Sequence, residues 1–120
     1  MQLIHSYTRA DAITDGLQFN CELAKEAGFK FSVYITSGIN NLIKKSLSYG
    51  CNDYNGVMWD ILMVLLSAIR YNKDNDIINF SVLIYWDSRK LKSFNLTAQC
   101  GVVDINDHQP AITILLPEED

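Results

Sequence analysis

Residues 54–72 read YNGVMWDILMVLLSAIRYN, and this stretch constrains the fold more than any other. Trp59, Leu62, Met63, Leu66 and Ile69 recur at helical spacing and form one apolar face. Val57, Ile61, Val64 and Leu65 carry that face around much of the circumference, leaving Asp60, Ser67 and Tyr71 as a narrow polar stripe. A helix this apolar is covered on most sides. Segment 56–71 is therefore expected as the central helix of a core, or as a core helix that gives part of its surface to a partner. Asp60 interrupts the apolar run, which falls short of the ~20 residues a bilayer requires. No membrane association is expected. Asp60 also poses a local problem, because a carboxylate among apolar residues must reach water or a donor. Arg70 lies too far along the helix, so Arg9 is the pairing candidate for Asp60.

The N-terminal half supplies shorter helices. In TRADAITDG, residues 8–16, Thr8 is a candidate N-cap, Asp11 three positions later approaches a capping box, and Gly16 is a stop signal. LQF follows as a brief strand. NCELAKEAG, residues 20–28, repeats the pattern with Asn20 as N-cap and Gly28 as terminator. FKFSVYIT, residues 29–36, alternates as a strand or leads directly into the helix expected over SGINNLIKKSLSYG, where Ile39, Leu42, Ile43 and Leu47 share a face.

The last third changes character. IINFSVLIYW, SFNLTAQCGVV and AITILL are rich in β-branched and aromatic residues and are separated by the turn-like DSRKLK and DINDHQP. They predict a three-stranded antiparallel meander. Helices followed by strands predict an α+β fold, with N-terminal helices packed on one face of a C-terminal three-stranded antiparallel sheet. The other face would carry Asn79, Ser81, Asn95, Thr97 and Gln99, or meet a partner. The 120 residues suit a single domain, 1–120, large enough for a core without disulfides or metal.

Charge and cysteine usage exclude several classes. The net charge is −4 and the pI is near 5.0, which argues against direct nucleic-acid binding through a positive footprint. Cys21, Cys51 and Cys100 are widely spaced and odd in number, with no C-x-x-C, as in a reducing cytoplasm with free thiols. No basic region followed by an apolar run opens the chain, so no signal peptide is read and a cytoplasmic location is expected.

Candidate chemistry is sparse. His5, Tyr7, Arg9, Asp11 and Asp15 cluster at the first helix start. HSYTRADAITDG resembles the opening of ADP-ribosyltransferase-type folds, which would imply a small nucleotide-binding enzyme, but no late catalytic Glu on a strand accompanies it. Otherwise the cluster is helix punctuation. Asp104, Asp107 and His108 in DINDHQP could approach a metal, but they match no calcium loop and are typical turn residues. Arg89, Lys90 and Lys92 form a small basic cluster in a hairpin loop. No Walker loop, dinucleotide fingerprint or nucleophile elbow occurs. No catalytic, cofactor-binding or metal-ligating residue is assigned, and no cofactor is expected.

Three stretches, SYTRADAITDG, WDILMVLLSAIR and ITILLPEED, resemble an uncharacterised family of short bacterial proteins carried on plasmids, prophages and integrative elements. The resemblance implies an accessory role in mobile-element biology. By analogy with small acidic proteins of that setting, it implies binding and inhibition of a host defence complex, as anti-CRISPR proteins do. An acidic surface would then dock on a basic channel, with Asp74, Asp76, Glu118, Glu119 and Asp120, and the loop cations Arg89 and Lys90, as partner-binding residues. The alternative is a homodimeric accessory protein joined through the over-apolar helix.

Overall fold

A computed structural model describes residues 7–50, 52–72, 74–87 and 90–119. His5, Cys51, Arg89 and Asp120 lie outside the described residues. Ten elements follow one another. Helix α1 spans Arg9–Thr14, β1 Gln18–Asn20, α2 Leu23–Ala27, β2 Ser32–Thr36, α3 Ser37–Leu47 and α4 Tyr54–Tyr71. Strands β3, Ile77–Trp86, β4, Lys90–Asp104, and β5, Asp107–Leu115, precede a 3₁₀ turn at Pro117–Glu119.

The expected meander exists, but the sheet does not stop there. It has five strands in the order β1-β2-β5-β4-β3, with β2 parallel to β5 and every other pair antiparallel. The three-stranded, C-terminal, antiparallel sheet is therefore corrected to a five-stranded mixed sheet that takes two strands from the N-terminal half. The reason is burial. Val33, Tyr34 and Ile35 of β2 are all buried, and a strand covered on both faces belongs inside a sheet. Its register sets Val33 beside Ile112 and Ile35 beside Ile114. Strand β2 then runs straight into α3, with Thr36 as N-cap accepting from Ile39 N–H.

Pleat alternation sorts the two faces. Ile78, Phe80, Val82 and Ile84 of β3, Leu96 and Ala98 of β4, Ile112 and Ile114 of β5, and Val33 and Ile35 of β2 form one buried apolar face. Ile39 and Ile43 of α3 and Val57, Met58, Ile61, Leu62 and Leu65 of α4 cover it. In α2, Ala24 and Ala27 are buried, and Gly28 closes the helix with φ +108° while approaching Leu66. Asn20 is the last residue of β1 rather than a cap, and Glu22 precedes α2 without a side-chain capping bond.

Helix α4 is central, as expected, but it is turned about its axis. The buried residues are Val57, Met58, Ile61, Leu62 and Leu65, whereas Trp59 and Met63 are 37 % and 41 % exposed. A helix apolar on most sides has no unique inward face of its own, and the sheet beneath it decides which one is used. Asp60 lies on the exposed side and is solvated.

Strand β4 carries fifteen residues, which at ~3.4 Å each span about 50 Å. That accounts for most of the 57 Å long axis of the molecule. The two sheet edges differ sharply. Strand β1 has three residues and β3 has ten.

Candidate functional site

Helix α1 sits on the sheet face opposite α2–α4. Arg9 is the residue that fixes it there. Thr8 Oγ1 accepts from Asp11 N–H and the Asp11 carboxylate accepts from Thr8 N–H, so the expected capping box is formed. The Asp104 carboxylate, reaching over from β4, accepts from the N–H groups of Arg9 at 3.3 Å and Ala10 at 3.0 Å. Backbone N–H bonds, led by that of Ile105, hold the Asp104 carboxyl below its ordinary pKa.

The Arg9 guanidinium lies 4.0 Å from the centroid of the Tyr34 ring. Its Nε donates to Val103 O at 2.6 Å, Nη1 to Gln18 Oε1 at 2.8 Å and Thr113 Oγ1 at 2.9 Å, and Nη2 to Val102 O at 3.3 Å. The β4–β5 register slips between Val102 and Asp104. Such a bulge leaves an extra residue without its ladder partner, and Arg9 supplies donors to both bulge carbonyls. Burial lowers the pKa of Arg9, opposed by Tyr34 and Asp104.

Arg9 and Asp60 therefore do not pair. Gln18, Tyr34 and Thr113 share the face opposite α4, so the sheet stands between the two residues. Four of the five guanidinium N–H groups are engaged within the chain. The shallow depression here, lined by Tyr7, Arg9, Gln18 and Thr113 among others, is a structural clamp and offers an anion little donor capacity.

Tyr7 Oη donates to Asp15 Oδ2 at 2.6 Å, and this bond pushes the Tyr7 pKa up to about 12. The raised value means the bond's stabilisation is complete below the ordinary tyrosine pKa of ~10. It is lost as pH climbs toward 12. Asp15→Asn is expected to return Tyr7 toward an ordinary titration, read from the Tyr7 Cζ chemical shift against pH.

The remaining sequence candidates fall into ordinary structural roles. Asp107 accepts from Gln109 N–H, and His108 Nε2 lies 3.0 Å from Ile105 O. The turn expected over DINDHQP shortens to Ile105 and Asn106, with Asp104 ending β4 and Asp107 beginning β5. Among the described residues no group of three or more His, Cys, Asp or Glu is placed to hold a metal ion. Burial raises the thiol pKa of Cys21 and of Cys100, which makes both poor nucleophiles. No helix among the described residues is long and apolar enough to cross a membrane.

The acidic partner-binding residues are not gathered together. Asp74 and Asp76 are exposed just ahead of β3 and Glu118 is exposed at the other end of the chain. Glu119 folds back instead. Its Oε1 accepts from Thr36 Oγ1 and from Leu116 N–H, both at 2.8 Å. The carboxylate thus rests at the N-terminus of α3, where backbone N–H groups favour an anion. Gly38 admits it, since a Cβ there would stand 2.5 Å from Glu119 Oε1. Lys90 is exposed at the start of β4. Nearby, the Trp86 ring packs between Tyr49 and Phe94 at 5.1 and 4.8 Å, with Lys45 and Lys92 at its margin.

Sequence reasoning assigns this face of the β3–β4 hairpin its polar residues, or a partner, but not the apolar group at its end. Asn79, Ser81, Asn95, Thr97 and Gln99 do share one face, where Ser81 Oγ donates to Asn95 Oδ1 and Thr97 Oγ1 to Asn79 Oδ1. Toward the hairpin end, however, the same face presents Leu83, Tyr85 and Leu91, all about half exposed, with Tyr85 and Leu91 directly opposite across the strands. The signal available was the ten-residue uncharged run IINFSVLIYW, whose odd members are apolar at both ends. Compared with family models, with curated proteins and with solved structures, the chain matches none.

Proposed function

We propose that the chain is a non-enzymatic protein-binding module of a mobile genetic element. It docks on a host defence complex through the open face of the β3–β4 hairpin and inhibits it in the manner of an anti-CRISPR protein. The observation that carries the binding surface is the exposed group Leu83, Tyr85 and Leu91 on a sheet face whose neighbouring positions are Ser81, Ser93 and Asn95. Contiguous exposed apolar residues rimmed by polar ones mark interaction sites. An aromatic flanked by aliphatic side chains is also the composition of an interface anchor. The biological setting is supported by the resemblance of SYTRADAITDG, WDILMVLLSAIR and ITILLPEED to mobile-element proteins. Asp74, Asp76 and Glu118, all exposed, supply long-range attraction to a basic partner rather than the contact itself. The reading of His5 and Arg9 as a nucleotide site gains no support, because Arg9 is engaged within the chain.

Leu91→Asp is the variant of choice, because it alters the apolar group from β4 and leaves the backbone of β3 untouched. The wild-type chain is expected to protect an infecting phage from CRISPR interference and to bind the purified effector complex. Leu91→Asp, with an unchanged circular dichroism spectrum, is expected to weaken binding at least ~30-fold, in the range of an interface hot spot. Reversing Asp74 and Asp76 to lysine should slow association and flatten its salt dependence. Full interference in the presence of the wild-type chain would remove the inhibitor reading. Equal binding by Leu91→Asp would remove this surface from it.

A further inference from the structure

Strand β3 is an outer strand of the sheet. Edge strands in folded proteins are ordinarily guarded by brevity, charge, proline or a bulge, because their unpaired backbone groups invite a further strand. The opposite edge, β1, is guarded by its three-residue length. Strand β3 has ten residues, IINFSVLIYW, without a charge or a proline, and its register with β4 runs unbroken from Ile77–Gln99 to Trp86–Lys90.

The orientation of its backbone follows from the ladder. Cys100 N–H donates to Asp76 O, and Asp76 stands opposite Cys100 in the continued register. Even-numbered residues of β3 therefore bond inward to β4, and the N–H and C=O groups of the odd-numbered residues point outward. Asn52 confirms the direction, since its Nδ2 donates to Tyr85 O at 2.8 Å from outside the sheet. Ile77, Asn79, Ser81 and Leu83 keep their outward groups without a paired strand among the described residues.

We propose that this edge joins two copies of the chain. Strand β3 of one copy pairs antiparallel with β3 of a second about a two-fold axis at Ser81, so that the two five-stranded sheets become one. The occupant is argued from self-complementarity, which a two-fold interface requires. Centring on Ser81 sets Asn79 opposite Leu83, both with open outward backbone groups, and the pairing stops short of Tyr85, whose outward carbonyl is held by Asn52. It also matches charge. Among the described residues, Asp74 and Asp76 stand just ahead of β3, whereas Lys90 and Lys92 stand beside Asp87 at the hairpin end. Antiparallel pairing brings the acidic start of each β3 alongside the basic hairpin end of the other. In a sheet extended this way the Leu83, Tyr85 and Leu91 groups of both copies lie on one continuous face.

The inference concerns the backbone edge and stands independently of any host partner. Sedimentation equilibrium of the full chain from ~1 to ~200 µM tests it, a range suited to the small interface a strand pair makes. The wild type is expected to move from the 13.6 kDa chain mass to twice that mass across the range. Ser81→Lys places two like charges opposite each other at the axis, which opposes pairing. It is expected to stay at chain mass throughout, with unchanged circular dichroism. Met63→Lys, on the exposed side of α4, should dimerise as the wild type does. If Ser81→Lys fails to fold, Leu83→Lys carries the same test from the neighbouring outward position. Chain mass for the wild type at every concentration would overturn the proposal. So would a dimer that survives a folded Ser81→Lys or Leu83→Lys variant, or one that Met63→Lys abolishes.

Discussion

Ile61→Ala is expected to destabilise the chain by about 3 kcal/mol, within the range for emptying a fully buried aliphatic site. Met63→Ala, two positions away on the same helix, is expected to cost under ~1 kcal/mol. Urea denaturation followed by far-ultraviolet circular dichroism reads both. The contrast follows from the rotation of α4 over the sheet. Ile61 has no exposed surface and belongs to the main core with Val82, Leu96 and Ile114, whereas Met63 is 41 % exposed. Helical spacing alone places Met63 inward with Trp59 and Leu66, so the pair of variants discriminates the two orientations. Equal costs would mean that the helix presents a different face to the sheet.

Arg9→Ala is expected to cost about 2–3 kcal/mol. Removing it leaves the Val102 and Val103 carbonyls of the β4 bulge, Gln18 and Thr113 without the donor that joins them. It also uncovers the face of Tyr34. Arg9→Lys should recover less than half of the loss, because a point charge reproduces neither the planar stack nor the fork of donors. Both are read from the same denaturation curves, and Asp60→Asn serves as the control. Asp60 is solvated on the far side of the sheet, so Asp60→Asn should fall within ~0.5 kcal/mol of the wild type. Were Arg9 and Asp60 partners, their losses would match and would not add.

What could be read from the sequence was local. Thr8, Asp11 and Gly16 delimit α1, Gly28 ends α2, and IINFSVLIYW is β3 to the residue, because capping, left-handed glycine and a run of β-branched and aromatic residues act over a few positions. Pairing between strands is not local. Nothing in FKFSVYIT states that Val33 will lie beside Ile112, some eighty residues on, and so the sheet was read as three strands instead of five. The same blindness governs Arg9. Its charge was legible, but its partners include carbonyls of a bulge that exists only once β4 and β5 have met. Asp60 stands out in the sequence because its neighbours are apolar all round, and which side of α4 is left uncovered is set by the sheet beneath it. The acidic tail was legible as charge, but not the return of Glu119 to the start of α3, which needs Gly38 and Thr36 brought to it by the parallel β2–β5 pair.

The self-association depends on β3 being an open edge. Amide hydrogen exchange in the monomeric Ser81→Lys variant measures this directly. The amides of Ile78, Phe80, Val82 and Ile84, bonded inward to β4, should exchange at least ~1,000-fold more slowly than unstructured amides, as in the stable part of a sheet. Those of Ile77, Asn79 and Leu83 should exchange near the unstructured rate. Slow exchange at every position along β3 in the monomer would show that its outer side is already paired within one chain, and would contradict the open edge on which the self-association rests.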